Sequence, residues 1–84
     1  MKEKIDVLQS LRVFQKVIDY GERENGYYAL NGIRANTHHD GYTVTLSDGD
    51  VDLHIFFHNK YSLECEDRKQ LDQFIKRLNQ LDNE

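Results

Sequence analysis

The sequence SDGDVDLHIFFH, at residues 47–58, decides which fold this chain can adopt. Its carboxylates Asp48, Asp50 and Asp52 alternate like the first ligands of a calcium loop, but such a loop needs Gly at its sixth position and Glu at its twelfth. Counted from Asp48, those positions hold Leu53 and Asn59. The apolar residues instead occupy every second position: Val51, Leu53, Ile55 and Phe57. This alternation predicts a half-buried β-strand rather than a calcium site.

The dipeptide Asp48-Gly49 predicts a two-residue hairpin turn, which sets the register with the preceding strand. The expected pairs on the buried face are Leu46/Val51, Val44/Leu53 and Tyr42/Ile55, and Thr43 faces His54 on the solvated face. A three-residue loop at residues 58–60 keeps the apolar residues of the next strand on the same buried face. It places His54 opposite Glu64, Phe56 opposite Ser62 and Cys65 opposite Leu53, so Cys65 is predicted to be buried. A slip of one residue would turn every side chain to the other face.

Helices are predicted at both ends of the chain, because apolar residues recur at helical spacing over residues 7–18 and 71–81. Asp6 and Asp67, each followed three residues later by Gln, have N-cap spacing. Gly21 stands where a left-handed residue would end the first helix. Two further strands are expected near residues 27–30 and 33–37. The prediction is one α+β domain over residues 1–84, an antiparallel β-meander of four to five strands with both terminal helices packed on one face.

Composition and charge narrow the range of functions. Asp and Glu total 15 against 11 Lys and Arg, and the basic residues are divided between the two ends of the chain. Binding to nucleic acid needs a clustered positive surface. No segment has the apolar length of a signal peptide or a membrane span, and the single cysteine, Cys65, has no disulfide partner within the chain. We expect a cytoplasmic protein that binds neither nucleic acid nor membrane and carries no cofactor.

The solvated face of the predicted sheet carries the candidate partner-binding residues Thr43, His54, Phe56 and Glu64. Opposed residues on neighbouring strands approach to about 5 Å, so His54 and Glu64 are within reach of each other. A hydroxyl, an imidazole and a carboxylate in line resemble a catalytic triad, but catalysis also needs a pocket with oxyanion donors, which an open sheet face lacks. An exposed Phe56 indicates a surface that something covers. The leading hypothesis is therefore a non-enzymatic module that binds a protein partner or forms a homodimer.

One end of the same sheet provides the alternative hypothesis, a metal- or small-ligand-binding protein. The register brings His38, His39 and His58 together there, with Asp40 and Asn59 nearby. Imidazoles with a carboxylate are chemically adequate for zinc or nickel. Their spacing matches no metal-binding motif, however, and histidines at hairpin tips are usually only exposed.

The run DGYTVTLSDGDVDLHIFFHNKYSLE at residues 40–64, together with a preceding helix and the segment YYALNGIRA, resembles a small family of uncharacterised bacterial proteins. The resemblance spans most of the chain, and DGYTV, LSDG and FFHNKY are its most specific parts. It implies an autonomous small domain in the bacterial cytoplasm. It implies no known activity, cofactor or catalytic residue.

Overall fold

The computed structural model describes residues 5–38, 41–56 and 60–83. These ranges contain two helices and six strands: α1 (Val7–Tyr20), β1 (Glu22–Glu24), β2 (Tyr27–Leu30), β3 (Ile33–Thr37), β4 (Val44–Ser47), β5 (Asp52–Ile55), β6 (Tyr61–Glu64) and α2 (Arg68–Asp82). The strands form an antiparallel sheet in chain order. The predicted α+β meander between two helices is confirmed, with six strands where four to five were expected.

The additional strand, β1, lies at one edge of the sheet. All three of its residues are charged and exposed, so no apolar alternation reveals it in the sequence. A short charged edge strand also discourages pairing with another chain. The following hairpin, between β2 and β3, turns at Asn31 and Gly32 with φ of 51° and 85°. Positive φ at both central residues is typical of a type I′ turn, and the two strands expected near residues 27–30 and 33–37 are paired through it.

Helix α1 begins at a capped residue and ends at a close backbone approach. The Asp6 carboxylate accepts a hydrogen bond from the Gln9 N–H at 3.1 Å, as the capping spacing predicts. Gly21 ends the helix, but its φ of −80° is extended, so the predicted left-handed conformation is wrong. Glycine is needed for space, because an added Cβ would lie 2.5 Å from the oxygen of Val17 and 2.6 Å from that of Ala29.

Helix α2 is capped in the same way and is joined to α1 by polar contacts. The Asp67 carboxylate accepts from the Gln70 N–H at 2.9 Å. Arg12 of α1 forms a two-pronged ion pair with the carboxylate of Asp82 at 2.9 and 3.0 Å. Lys16 donates to the carbonyl oxygens of residues 81 and 82 at the end of α2, where the helix dipole favours a positive charge.

The core lies between the helices and one face of the sheet. Its buried residues are Val13, Val17, Ile33, Ala35, Leu46, Val51, Leu53, Ile55, Phe74, Leu78 and Leu81. Along β5 the burial alternates, since Leu53 and Ile55 are buried while Asp52 and His54 are half-buried. The predicted assignment of these residues to the two faces is therefore confirmed.

The register between β4 and β5 differs from the prediction by two residues. Leu46 pairs with Leu53, and Val44 pairs with Ile55, so the turn contains four residues, 48–51, instead of two. The reason is Asp48, whose Oδ1 accepts from the N–H groups of Asp50 and Val51, both at 2.9 Å. Because the shift is even, each side chain keeps its predicted face.

The register between β5 and β6 is shifted by the same amount. Leu53 pairs with Leu63 and not with Cys65, and the Phe56 N–H donates to the Lys60 oxygen at 2.7 Å. Cys65 thereby falls beyond the end of β6 and is exposed, so its predicted burial is wrong. Tyr42, also predicted to face the core, is 66% exposed because it precedes β4 and has no place in the ladder.

Candidate functional site

The sheet has an outer face, on the side away from the core. Two rows of side chains that neighbour one another across the strands define it here. The central row is Asn36, Thr45, His54 and Ser62. The charged row is Glu22, Ala29, Arg34, Ser47, Asp52 and Glu64. Neither helix packs on this face, because the alternation that turns Leu53 and Ile55 towards the helices turns these residues away.

Hydrogen bonds link two histidines through one hydroxyl group on the outer face. Thr45 Oγ1 lies 2.7 Å from His38 Nε2 and 2.9 Å from His54 Nδ1. The two imidazole rings meet edge to face, with centroids 6.1 Å apart. On its other side, His54 Nε2 lies 3.7 Å from Glu64 Oε1. We call these four residues the polar chain.

The polar chain has a preferred direction, because a hydroxyl group carries one proton. With Glu64 ionised, the His54 Nε2–H points towards the carboxylate, which leaves Nδ1 as an acceptor. Thr45 then donates to His54 Nδ1 and accepts from the Nε2–H of His38. In this arrangement Thr45 Oγ1, His38 Nε2 and His54 Nδ1 all form hydrogen bonds within the chain.

The structure brings together three of the four predicted partner-binding residues. His54 and Glu64 are in contact, although they are diagonal neighbours and not directly opposed. Phe56 follows β5, two residues after His54, and is 41% exposed. Thr43 is misplaced in the prediction, since the two-residue shift puts Thr45 opposite His54. Thr43 is only 9% exposed, and its carbonyl accepts the His38 N–H at 3.0 Å.

Sequence reasoning missed the role of Thr45 and assigned His38 to a different site. The omission of Thr45 follows from the turn length, because a four-residue turn at residues 48–51 moves Thr45 beside His54. The signal was Asp48 itself, since an Asp at the start of a turn commonly accepts hydrogen bonds from backbone N–H groups of the next residues.

The predicted metal site falls largely outside the described residues. His39, Asp40, His58 and Asn59 lie in the gaps between the described ranges, and His38 is bonded to Thr45. Among the residues that the structure describes, no group of three or more His, Cys, Asp and Glu side chains could hold a metal ion. The site at His38, His39 and His58 therefore stays a prediction.

A groove of about 600 Å³ lies beside α2, away from the polar chain, and is lined by Asn31, Arg77, Gln80, Leu81 and Asn83. Arg77 Nε lies 4.0 Å from Asp48 Oδ2, and its guanidinium fills the space into which a side chain at position 32 would project. The Arg77 side chain thus connects α2 with the turns that contain Gly32 and Asp48. Residue 32 is glycine because its φ of 85° is a conformation that other residues rarely adopt.

Residues 5–84 match the model of a family described as proteins of unknown function, DUF3081. The chain belongs to the DUF3081 family. The expected resemblance to a family without an assigned activity is thereby confirmed. Searches of curated proteins and of solved structures gave no match.

The length and composition of its helices determine whether this DUF3081 chain contains a candidate membrane-spanning segment. Within the described ranges, neither helix has both the length and the apolar composition needed to cross a bilayer.

Proposed function

We propose that this DUF3081 chain is a non-enzymatic interaction module of the bacterial cytoplasm that binds a protein through the outer face. The observation that carries the proposal is the polar chain beside the exposed ring of Phe56, on a sheet face that neither helix covers. Such a surface offers a partner both an apolar contact and fixed hydrogen-bonding groups.

The internal bonding of the polar chain makes the outer face suitable for burial. Covering an unpaired donor or acceptor costs about 1–3 kcal/mol. Here the hydroxyl of Thr45 and two imidazole nitrogens, His38 Nε2 and His54 Nδ1, are already engaged within the chain. A partner can therefore exclude water from these three atoms without leaving them unsatisfied, while covering the exposed part of Phe56 contributes about 1 kcal/mol.

The geometry gives little support to catalysis at the same place. The Glu64 side chain is 68% exposed, so its contact with His54 is screened by water and weak. The Thr45 hydroxyl lies between two imidazoles on an open surface, whereas acyl transfer needs oxyanion donors in a water-excluded pocket. A cytoplasmic location agrees with the exposed thiol of Cys65, which has no disulfide partner in the chain.

Two substitutions on the outer face and one elsewhere test the proposal. Ser62→Arg adds bulk next to His54 at an exposed position, and Phe56→Asp removes the apolar contact. Leu8→Asp is the matched control, because Leu8 is 64% exposed on α1 and an acidic residue is favourable in the first turn of a helix. Quantitative cross-linking and mass spectrometry in the native host would compare the partners of the three variants with those of the wild type.

We expect both outer-face variants to lose a partner that the Leu8→Asp variant retains. Circular dichroism would verify that all three remain folded. If all variants cross-link to the same proteins as the wild type, the outer face is not the binding surface and the proposal fails.

A further inference from the structure

We propose that the partner is a second copy of this chain, packed outer face to outer face about a twofold axis that runs along β4. This inference rests on the proposed function and adds the identity of the partner and the geometry of the contact. It follows from the order of charges in the charged row and from the bonding of the central row.

The charged row is asymmetric about β4. Arg34 lies on β3, to one side of Ser47, and Asp52 and Glu64 lie on β5 and β6, to the other side. A twofold axis along β4 places β3 of one copy opposite β5 of the other. Each row of one copy then lies at the same level along the strands as the same row of the second copy. Arg34 then faces Asp52 of the second copy, with Glu64 of that copy beside it. The axis creates this contact twice.

Twofold axes along β3, along β5 or perpendicular to the strands give poorer contacts between charges. An axis along β3 places Arg34 of one copy opposite Arg34 of the other. An axis along β5 places Asp52 opposite Asp52 in the same way. Both arrangements bring like charges together. An axis that is perpendicular to the strands and parallel to the sheet places each strand opposite the same strand of the second copy. Arg34 then lies opposite β3 and meets no acidic residue of β5. With the axis along β4, the acidic strand β1 projects beyond β6 of the other copy and stays outside the contact.

The central row and Phe56 fit the same axis. Thr45 lies on it and faces Thr45 of the second copy, and its hydroxyl is already bonded to two imidazoles of its own chain. Covering it therefore leaves no unsatisfied group. Continuing the two ladders by one residue sets His38 and Phe56 level with Thr43, just before β4, and the His38 N–H donates to the Thr43 oxygen. The exposed ring of Phe56 thus contacts the imidazole of His38 across the interface.

The size of the contact determines how strong the association is. Five overlapping strands, about 4.8 Å apart and about 16 Å long, cover roughly 400 Å² of sheet per copy, about half of a standard interface. We therefore expect a weak dimer whose population depends on concentration, and sedimentation equilibrium measures this directly.

A charge-swap experiment tests the axis. Arg34→Glu places two acidic residues opposite each other in its own dimer, and Asp52→Arg places two basic residues opposite each other. We expect each variant alone to have a dissociation constant at least about tenfold above that of the wild type. An equimolar mixture should restore the dimer, because both contacts then join opposite charges. This restoration also shows that both variants are folded.

Two outcomes overturn the inference. A wild-type chain that sediments as a monomer at millimolar concentration refutes the second copy, and a dimeric wild type with a mixture that stays monomeric refutes the axis along β4. Neither outcome removes the proposed function. If Ser62→Arg still loses a different protein partner that Leu8→Asp retains, the outer face is an interface for that protein.

Discussion

Replacement of Asp48 tests the feature that decides the register of the central hairpin. Its side chain is only 5% exposed, and its Oδ1 accepts two backbone N–H groups at 2.9 Å, one of them from the buried residue Val51. Asp48→Ala removes the acceptor, while Asp48→Asn keeps an oxygen in the same place and removes only the charge.

The structure allows the size of both effects to be worked out. A hydrogen bond to a charged group contributes about 1.5–3 kcal/mol, and the Asp50 N–H can bond to water when the carboxylate is lost. Asp48→Ala should therefore cost about 2–4 kcal/mol. A chain of 84 residues has a free energy of unfolding of about 4–13 kcal/mol, so this loss is a large fraction. Asp48→Asn should cost about 1 kcal/mol or less, because the Arg77 contact is long, at 4.0 Å, and partly exposed.

Urea unfolding followed by circular dichroism would measure both variants. We expect the alanine variant to unfold at a clearly lower urea concentration with an unchanged m-value, and the asparagine variant to stay close to the wild type. Equal losses in the two variants would show that the charge, and not the acceptor, organises the turn. A loss below about 0.5 kcal/mol in Asp48→Ala would refute the reasoning altogether.

Three further predictions concern stability. Gly21→Ala should cost about 1–3 kcal/mol, measured by thermal unfolding, because the new methyl group meets two backbone oxygens that cannot move independently. Phe74→Ala should cost about 3–5 kcal/mol in urea unfolding, since Phe74 is fully buried. The hydrogen bond from Arg12 lowers the pKa of Asp82, against the effect of desolvation. The stabilisation from this ion pair is thus present above the unfolded carboxyl pKa and is lost as pH falls through the lower folded pKa. Acid unfolding should show this loss in the wild type but not in the Asp82→Asn variant.

The two faces of the sheet were predictable from sequence because side-chain direction depends only on whether a position is odd or even. Leu53 and Ile55 face the core in the predicted register and in the observed one, since the two differ by an even shift. The same property prevented periodicity from choosing between a two-residue and a four-residue turn. The hydrogen bonds that the Asp48 carboxylate accepts stabilise the four-residue turn.

The candidate site was predictable in part for the same reason. His54, Phe56 and Glu64 were placed on the outer face by alternation alone, but the neighbours of His54 depend on register. Thr45 was therefore missed, and Cys65 was assigned to the core. The edge strand β1 was missed because its charged residues have no apolar alternation, and it forms by pairing with β2.

The exposed position of Cys65 has a practical consequence. The chain contains no other cysteine, so a maleimide or nitroxide reagent attaches at one defined point between β6 and α2 without any prior mutagenesis. Two labels in a symmetric pair of chains would give one interspin distance in a pulsed resonance experiment. A broad distance peak would reveal a disordered contact between the two chains. An absent peak would reveal that there is no contact.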